Sequence, residues 1–102
     1  MEQNLDISVV VPLYNEEESL PELVSWIDSV ARKNNLSYEI IMVDDGSTDS
    51  SWCVVEELKA KYPAVRGLSF MRNYGKSAAL YEGFRLAEGE AVFTMDADLQ
   101  DS

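Results

Sequence analysis

The sequence predicts an α/β fold in which a parallel sheet is flanked by helices in the order β-α-β-α-β-α-β. Apolar runs of strand length alternate with segments whose apolar residues recur at helical spacing, and short polar connections join them. This alternation favours a Rossmann-like sheet with right-handed crossovers and helices on both faces. With 102 residues, of which 46% are hydrophobic, the chain is long enough for one core and too short for two.

The first strand and the first helix occupy the first third of the chain. Residues 7–15 (ISVVVPLYN) form a nearly continuous β-branched run, which is typical of a strand covered on both faces. After an acidic turn, apolar residues fall on one helical face, and Pro21 is tolerated in the first turn. That face comprises Leu20, Leu23, Val24, Ile27, Val30 and Ala31. The helix is predicted to end near Asn34 and Asn35.

The second strand and the second helix repeat this order. A buried strand through residues 40–43 leads into the polar turn DDGSTD, where Ser47 or Thr48 is predicted to cap the helix. The helix is predicted to face inward through four side chains: Trp52, Val55, Leu58 and Tyr62. We expect it to stop at Pro63, because proline cannot continue a helix.

The remaining elements are two strands and the helix between them. Residues 65–73 (VRGLSFMRN) are less apolar, which favours a strand nearer an edge of the sheet. Residues 74–89 predict a third helix with Gly89 beyond its C-terminus. Its predicted inward face consists of Leu80, Phe84 and Ala87. Residues 91–97 (AVFTMDA) predict a buried fourth strand.

Charge and composition exclude several classes of function. The formal charge of −11 repels phosphate backbones, so we expect no nucleic acid partner. The sequence has no histidine and one cysteine, Cys53, which excludes Cys/His zinc sites, an internal disulfide and histidine-based catalysis. The N-terminus does not resemble a signal peptide, and no apolar run approaches the roughly 20 residues that span a bilayer. As given, the chain is expected to be soluble and cytoplasmic.

Unusual polar residues follow each predicted strand. In parallel sheets, ligands bind beyond the carboxyl ends of the strands. Those ends read Tyr14-Asn15-Glu16, Asp44-Asp45, Arg72-Asn73 and Asp96-Ala97-Asp98. We therefore predict one binding site on this rim, where Tyr14 either stacks on a nucleobase or covers the sheet edge.

The last nine residues, TMDADLQDS, carry a cluster of oxygen ligands. If the backbone stays extended beyond Met95, its period of two puts Asp96, Asp98 and Gln100 on one side. Carboxylates and a neutral carbonyl suit Mg²⁺ or Mn²⁺, with water and substrate phosphate in the other positions. Taken alone, D-x-D also fits an acidic surface turn, whereas an EF-hand would need glycine where Asp101 stands. The position after a buried strand favours a metal-diphosphate site.

Basic side chains are predicted to hold the phosphates. A P-loop is incomplete, because Phe70 stands where its first glycine belongs. Arg72 ends the third strand and Lys76 opens the third helix, although both could also be solvated surface cations. Asp44 and Asp45 either cap a helix or accept hydrogen bonds from a base or a ribose. Since one cap needs one side chain, we expect them to be free for a ligand.

Four segments together resemble the family 2 glycosyltransferases with the GT-A fold. They are VVVPLYNEEESL, IIMVDDGSTD, RNYGKSAAL and FTMDADLQD, in the family's order and spacing. The resemblance covers almost the whole chain and is closest to polyprenyl-phosphate sugar transferases, including dolichol-phosphate mannose synthases and bactoprenol glucosyltransferases. It implies that residues 1–102 are the nucleotide-sugar-binding half of a GT-A domain whose acceptor-binding half is absent.

The same resemblance implies roles for individual residues. The nucleotide-binding residues would be Pro12, Tyr14, Glu16, Asp44, Asp45, Arg72, Lys76 and Asp96. The ligands of Mg²⁺ or Mn²⁺ would be Asp96, Asp98 and Gln100. No residue of the chain matches a catalytic base, so we expect the chain alone to bind nucleotide weakly, if at all, and not to turn over.

The reaction implied by the resemblance is metal-dependent transfer of a hexose, with inversion, from a UDP- or GDP-sugar. The acceptor would be a polyprenyl phosphate or a saccharide, in the synthesis of cell envelope polysaccharide. The full-length protein would then work at the cytoplasmic face of the membrane.

Two other classes remain open at this point. A receiver-like phosphoacceptor domain also gathers aspartates and a metal on the rim of a parallel sheet. Its acidic pair follows the first strand, however, where this chain has Tyr14 and Asn15. In a non-catalytic interaction module, the same rim would be solvated surface.

Overall fold

The chain folds around one parallel sheet with strand order β3-β2-β1-β4, in a computed structural model that describes residues 5–97. The strands are β1 (Leu5–Leu13), β2 (Tyr38–Asp44), β3 (Val65–Ser69) and β4 (Gly89–Thr94). The helices are α1 (Leu20–Lys33), α2 (Ser51–Lys61) and α3 (Lys76–Leu86). The predicted α/β class and element order are confirmed.

The two central strands, β1 and β2, are covered on both faces. Their side chains alternate between two apolar clusters, as a continuous β-branched run requires. One cluster contains Val9, Val11, Ile40 and Met42, and it packs against α1 and α2. The other contains Ile41 and Val43 and packs against α3. The sheet is therefore a middle layer, with two helices on one face and one on the other.

The two outer strands behave differently from the centre. β3 lies at an edge, as predicted, but it ends at Ser69, four residues before the predicted end. β4 is shifted towards the N-terminus of the predicted segment and is largely exposed, including Val92 and Phe93. The prediction of a buried fourth strand is wrong for the part of the chain that the structure describes, because within it β4 pairs with β1 on one side only.

The inward face of α3 differs from the prediction by one position. Ala79 and Gly83 are buried against the sheet, and Ala87, just beyond the helix end, packs against the same cluster as predicted, whereas Phe84 is half-exposed. A Cβ on Gly83 would lie 2.3 Å from Cγ1 of Val10, so only small residues let the helix approach β1. Leu80 and Phe84 are therefore not the buried inward residues of α3 that were predicted. Val30 of α1, also predicted to face inward, likewise lies on the exposed side.

A buried carboxylate, Glu39, joins the sheet to the connection between α3 and β4. Glu39 is only 4% exposed. Its carboxylate accepts hydrogen bonds from Oγ of Ser8 (2.6 Å) and the Glu88 N–H (2.7 Å), and pairs with Nη1 of Arg66 (2.8 Å). The Gly89 N–H in turn donates to Ser8 Oγ at 2.7 Å. This network links all four strands on the side of the sheet that carries α3.

We expect the Glu39 network to make stability depend on pH. Burial raises the pKa of Glu39, but hydrogen bonds from Ser8, Glu88 and Arg66 outweigh it and leave the pKa below its ordinary value of 4.5. The unfolded chain therefore binds the proton more readily. The stabilising contribution is complete above pH 4.5 and is lost as the pH falls through the lower folded-state pKa. Urea unfolding at pH 7 and in acid should show a smaller acid-induced loss in Glu39→Gln than in the unaltered protein; equal losses would contradict this account.

The helices also bear on the membrane question. Of the helices between residues 5 and 97, none combines the length and the apolar character that crossing a membrane requires.

Candidate functional site

A cleft of about 240 Å³ opens beyond the carboxyl ends of β1 and β2, beside the start of α3. It is lined by Pro12, Leu13, Tyr14, Glu16, Asp45, Lys76, Asp96 and Ala97. Six of the eight residues predicted to bind nucleotide are in this lining, while Asp44 and Arg72 are not. The parallel topology brings the six together, since all parallel strands end at one edge of the sheet.

Asp44 closes the turn after β2 instead of facing the cleft. It is 2% exposed, and its Oδ1 accepts the Ser47 N–H at 2.8 Å. The prediction that Ser47 or Thr48 caps the next helix is wrong, because α2 begins at Ser51. The Ser47 hydroxyl accepts the Asn15 N–H instead. Asp44 therefore stabilises the turn after β2, next to Asp45 in the cleft lining.

Asp45 lines the cleft, but its carboxylate already has partners. It accepts the N–H groups of Tyr74 (2.7 Å) and Gly75 (3.0 Å), and its carbonyl accepts Nδ2 of Asn73 at 3.2 Å. The expectation that both aspartates are free for a ligand is wrong, because each satisfies backbone N–H groups. A carboxylate offers about four acceptor positions, so Asp45 retains capacity for a ligand donor.

Gly46 allows the loop before α3 to lie directly on the turn after β2. Its φ is +77°, and a Cβ there would lie 2.4 Å from the Arg72 carbonyl carbon and 2.6 Å from the Asn73 nitrogen. Together with the Asp45 contacts, this close approach fixes the backbone that leads into Lys76.

The two predicted phosphate-binding cations lie in different surroundings. Lys76 is at the cleft, and its Nζ donates to Oδ1 of Asp96 at 2.8 Å. Both side chains are largely exposed, so the pair adds little to stability, yet it holds an ammonium group at the rim. Arg72 lies beyond the end of β3, and its guanidinium carbon is 6.0 Å from the centre of the Tyr74 ring. The structure therefore brings Lys76, and not Arg72, to the lining.

The predicted metal site is described in part. Asp96 lines the cleft with its side chain 68% exposed, so an ion can reach it. Asp98 and Gln100 lie outside the described residues. Within residues 5–97, no group of three acidic or cysteine side chains is placed to hold a metal ion. The donor chemistry of the three predicted ligands, two carboxylates and an amide, fits a hard divalent cation.

Sequence reasoning missed Asn15 as a structural element of the site. Its φ is +54°, and its side chain reaches the loop after β2. Oδ1 accepts the N–H groups of Thr48 (2.8 Å) and Asp49 (3.2 Å), and Nδ2 donates to Thr48 Oγ1 at 3.2 Å. Asparagine two residues beyond the end of a strand is a signal for a positive φ, because asparagine is enriched in that region.

Further hydrogen bonds between the same two loops accompany Asn15. The Glu16 N–H donates to Ser51 Oγ at 2.9 Å, and the Ser50 N–H donates to Oε1 of Glu17 at 2.7 Å. Asp49 accepts the Ser51 N–H at 2.8 Å. Burial raises the pKa of Asp49, but hydrogen bonds from Ser51 and neighbouring backbone N–H groups outweigh this effect. The pKa is therefore below its ordinary value of 3.8, and the carboxylate is ionised at neutral pH.

Comparison with known sequences gives consistent matches. The family model described as Glycosyl transferase family 2 matches residues 8–102. An undecaprenyl-phosphate 4-deoxy-4-formamido-L-arabinose transferase of Shewanella sediminis is 43% identical over 100 residues, covering 96% of this chain and 30% of that protein. A dolichol-phosphate mannosyltransferase of Pyrococcus furiosus is 44% identical over 96 residues, covering 94% of this chain and 26% of that protein. The chain spans less than a third of the length of these curated relatives.

A solved structure gives a corresponding match in fold. The mannosyltransferase PcManGT from Pyrobaculum calidifontis, in complex with GDP-Man and Mn²⁺, is similar with a TM-score of 0.79 and 30% sequence identity. The similarity covers 94% of this chain and 28% of that one. The predicted Rossmann-like α/β fold is confirmed by this likeness.

Proposed function

The chain belongs to glycosyl transferase family 2, and on that premise we propose that its cleft binds the nucleotide part of a nucleotide sugar. The observation that carries the proposal is the composition of the cleft lining. An aromatic side chain, three carboxylates and one ammonium group meet beyond the carboxyl ends of parallel strands. This combination suits a ligand with a base, a ribose and a diphosphate.

Each part of the nucleotide has a candidate partner in the lining. Tyr14 is 43% exposed beside the cleft, so its ring is available to stack on a base. Asp45 retains acceptor capacity for a base N–H or a ribose hydroxyl. The Lys76 ammonium lies at the start of α3, where the helix N-terminus adds to its attraction for an anion. We assign the diphosphate to this end of the cleft.

We further propose that Asp96, Asp98 and Gln100 hold a divalent cation, Mg²⁺ or Mn²⁺. Support comes from the exposed Asp96 carboxylate at the cleft and from the presence of Mn²⁺ in the PcManGT complex. When bound, such an ion would offset the charge of the departing diphosphate. Lys76 would contribute a second positive charge to the diphosphate. Its hydrogen bond to Asp96 already holds the ammonium group close to the proposed metal position.

The reaction proposed for the full-length protein is transfer of a hexose, with inversion, from a UDP- or GDP-sugar to a polyprenyl phosphate or a saccharide. The relatives named for undecaprenyl phosphate and dolichol phosphate favour the lipid acceptor. Residues 1–102 would supply the donor half of the domain, at the cytoplasmic face of the membrane. The family match over residues 8–102 argues against a receiver domain or a non-catalytic module.

Substituting Lys76 should separate diphosphate binding from general charge effects. In calorimetric titrations of the full-length protein with UDP and with GDP, each with and without Mn²⁺, we expect Lys76→Ala to weaken the preferred nucleotide about tenfold or more. A hydrogen bond to a charged group contributes about 1.5–3 kcal/mol. Lys33→Ala, an exposed lysine at the end of α1, removes the same charge far from the cleft and should have little effect.

The same titrations test the metal ligands. Asp98→Ala should abolish the increase in affinity that Mn²⁺ gives the unaltered protein. A nucleotide affinity that is the same with and without Mn²⁺, and unchanged in both Lys76→Ala and Asp98→Ala, would refute the proposed site.

A further inference from the structure

We infer that Asn15 is a positioning residue for the donor site, an inference that rests on the proposed function. Its side chain joins the loop after β1 to the loop after β2. The two residues on either side of it, Tyr14 and Glu16, both line the cleft, while Asn15 does not. Asn15 would therefore act on a bound nucleotide through its neighbours and not by direct contact.

The contacts of Asn15 are concentrated on one short segment. Its backbone N–H donates to Ser47 Oγ at 2.8 Å, while its side-chain amide bonds to Thr48 and to the Asp49 N–H. These partners are 32 to 34 positions away in sequence, so the hydrogen bonds join two loops that are distant along the chain. One side chain thus satisfies two backbone donors just before α2, the N–H groups of Thr48 and Asp49, which would otherwise depend on water.

The backbone of Asn15 gives the second argument. Its φ of +54° lies in the left-handed region, which asparagine and glycine tolerate better than other residues. This conformation turns the chain between Tyr14 and Glu16. Loss of either the conformation or the side-chain bonds would move both lining residues together.

Because these hydrogen bonds are exposed to solvent, their loss should affect the position of the two loops more than the stability of the fold. The hydrogen bonds between Asn15 and residues 47–49 are solvent-exposed and lie outside both apolar clusters. Water can replace exposed bonds at small cost to the global fold, but it cannot fix the separation of two loops. We therefore expect Asn15 to matter for nucleotide affinity more than for unfolding.

Three variants of the full-length protein test this role. Asn15→Gly keeps the positive φ but removes the side chain, and we expect it to weaken nucleotide binding about tenfold while Tm changes little. Asn15→Asp keeps Oδ1 as an acceptor for Thr48 and Asp49, and it should stay within about threefold of the unaltered protein. Asn35→Gly is the matched control, since Asn35 also has a positive φ (+56°) but lies after α1. It should leave the affinity unchanged.

Amide hydrogen exchange supplies a measurement that needs no ligand. We expect the N–H groups of Thr48 and Asp49 to exchange about tenfold faster in Asn15→Gly and to keep most of their protection in Asn15→Asp. Unchanged affinity in Asn15→Gly, or an equal loss in Asn15→Asp, overturns the inference while the proposed function stands. If the unaltered protein binds neither UDP nor GDP, the proposed function fails and this inference fails with it.

Discussion

Replacing Glu39 by alanine is expected to lower the free energy of unfolding by about 2–4 kcal/mol, because a buried carboxylate that accepts three hydrogen bonds is lost and each buried donor left without an acceptor costs about 1–3 kcal/mol. The substitution leaves the Arg66 guanidinium, the Ser8 hydroxyl and the Glu88 N–H without their shared acceptor. Urea unfolding of the full-length protein, followed through the transition that involves this domain, measures the loss. Because most domains are stable by about 5–15 kcal/mol, such a loss is a large fraction of the total.

A conservative variant distinguishes the charge of Glu39 from its shape. Glu39→Gln keeps the side-chain volume and one acceptor oxygen, so we expect a smaller loss of about 1–3 kcal/mol. A loss below 1 kcal/mol in Glu39→Ala would show that the network is not the support of the α3–β4 connection that its geometry indicates.

Replacing Gly46 by alanine is expected to cost about 3 kcal/mol and to weaken nucleotide binding at the same time. The new Cβ would meet the backbone of Arg72 and Asn73 at 2.4 to 2.7 Å, and a positive φ of 77° adds strain for any residue with a Cβ. Relief requires the loop that leads into Lys76 to move away from Asp45. Thermal unfolding and nucleotide titration of the same variant measure the two effects.

Gly75→Ala is the matched control for Gly46→Ala. Gly75 also has a positive φ, of 106°, but its Cβ would meet no heavy atom within 4 Å. It therefore carries backbone strain without a collision. Should Gly46→Ala lose less than about 1 kcal/mol, the lower end of the cost of backbone strain alone, the close approach of the two loops would not be what holds the site.

The fold was predictable because it depends on patterns within short segments. The period of the apolar residues separates strands from helices, and their alternation restricts the topology to a parallel sheet. The inward face of α3 was not predictable in the same way. Hydrophobicity selects Leu80 and Phe84, whereas the distance between helix and sheet selects Ala79 and Gly83, and that distance depends on Val10.

The candidate site was likewise predictable only in part. That polar strand ends converge on one cleft follows from topology alone. The partners of Asp45, Glu39 and Asn15 do not, because each binds groups about 30 positions away in sequence or more. A carboxylate that satisfies backbone N–H groups and one that is free for a ligand have the same sequence signature. Only the three-dimensional structure distinguishes them.

The most direct test of the donor site is a crystal structure of the full-length protein with its preferred nucleotide, UDP or GDP, and Mn²⁺. We expect the base beside Tyr14, the diphosphate within hydrogen-bond distance of Lys76 Nζ, and an anomalous signal from Mn²⁺ at Asp96. A nucleotide bound elsewhere, with the cleft between Tyr14 and Lys76 filled only by water, would contradict the proposed function.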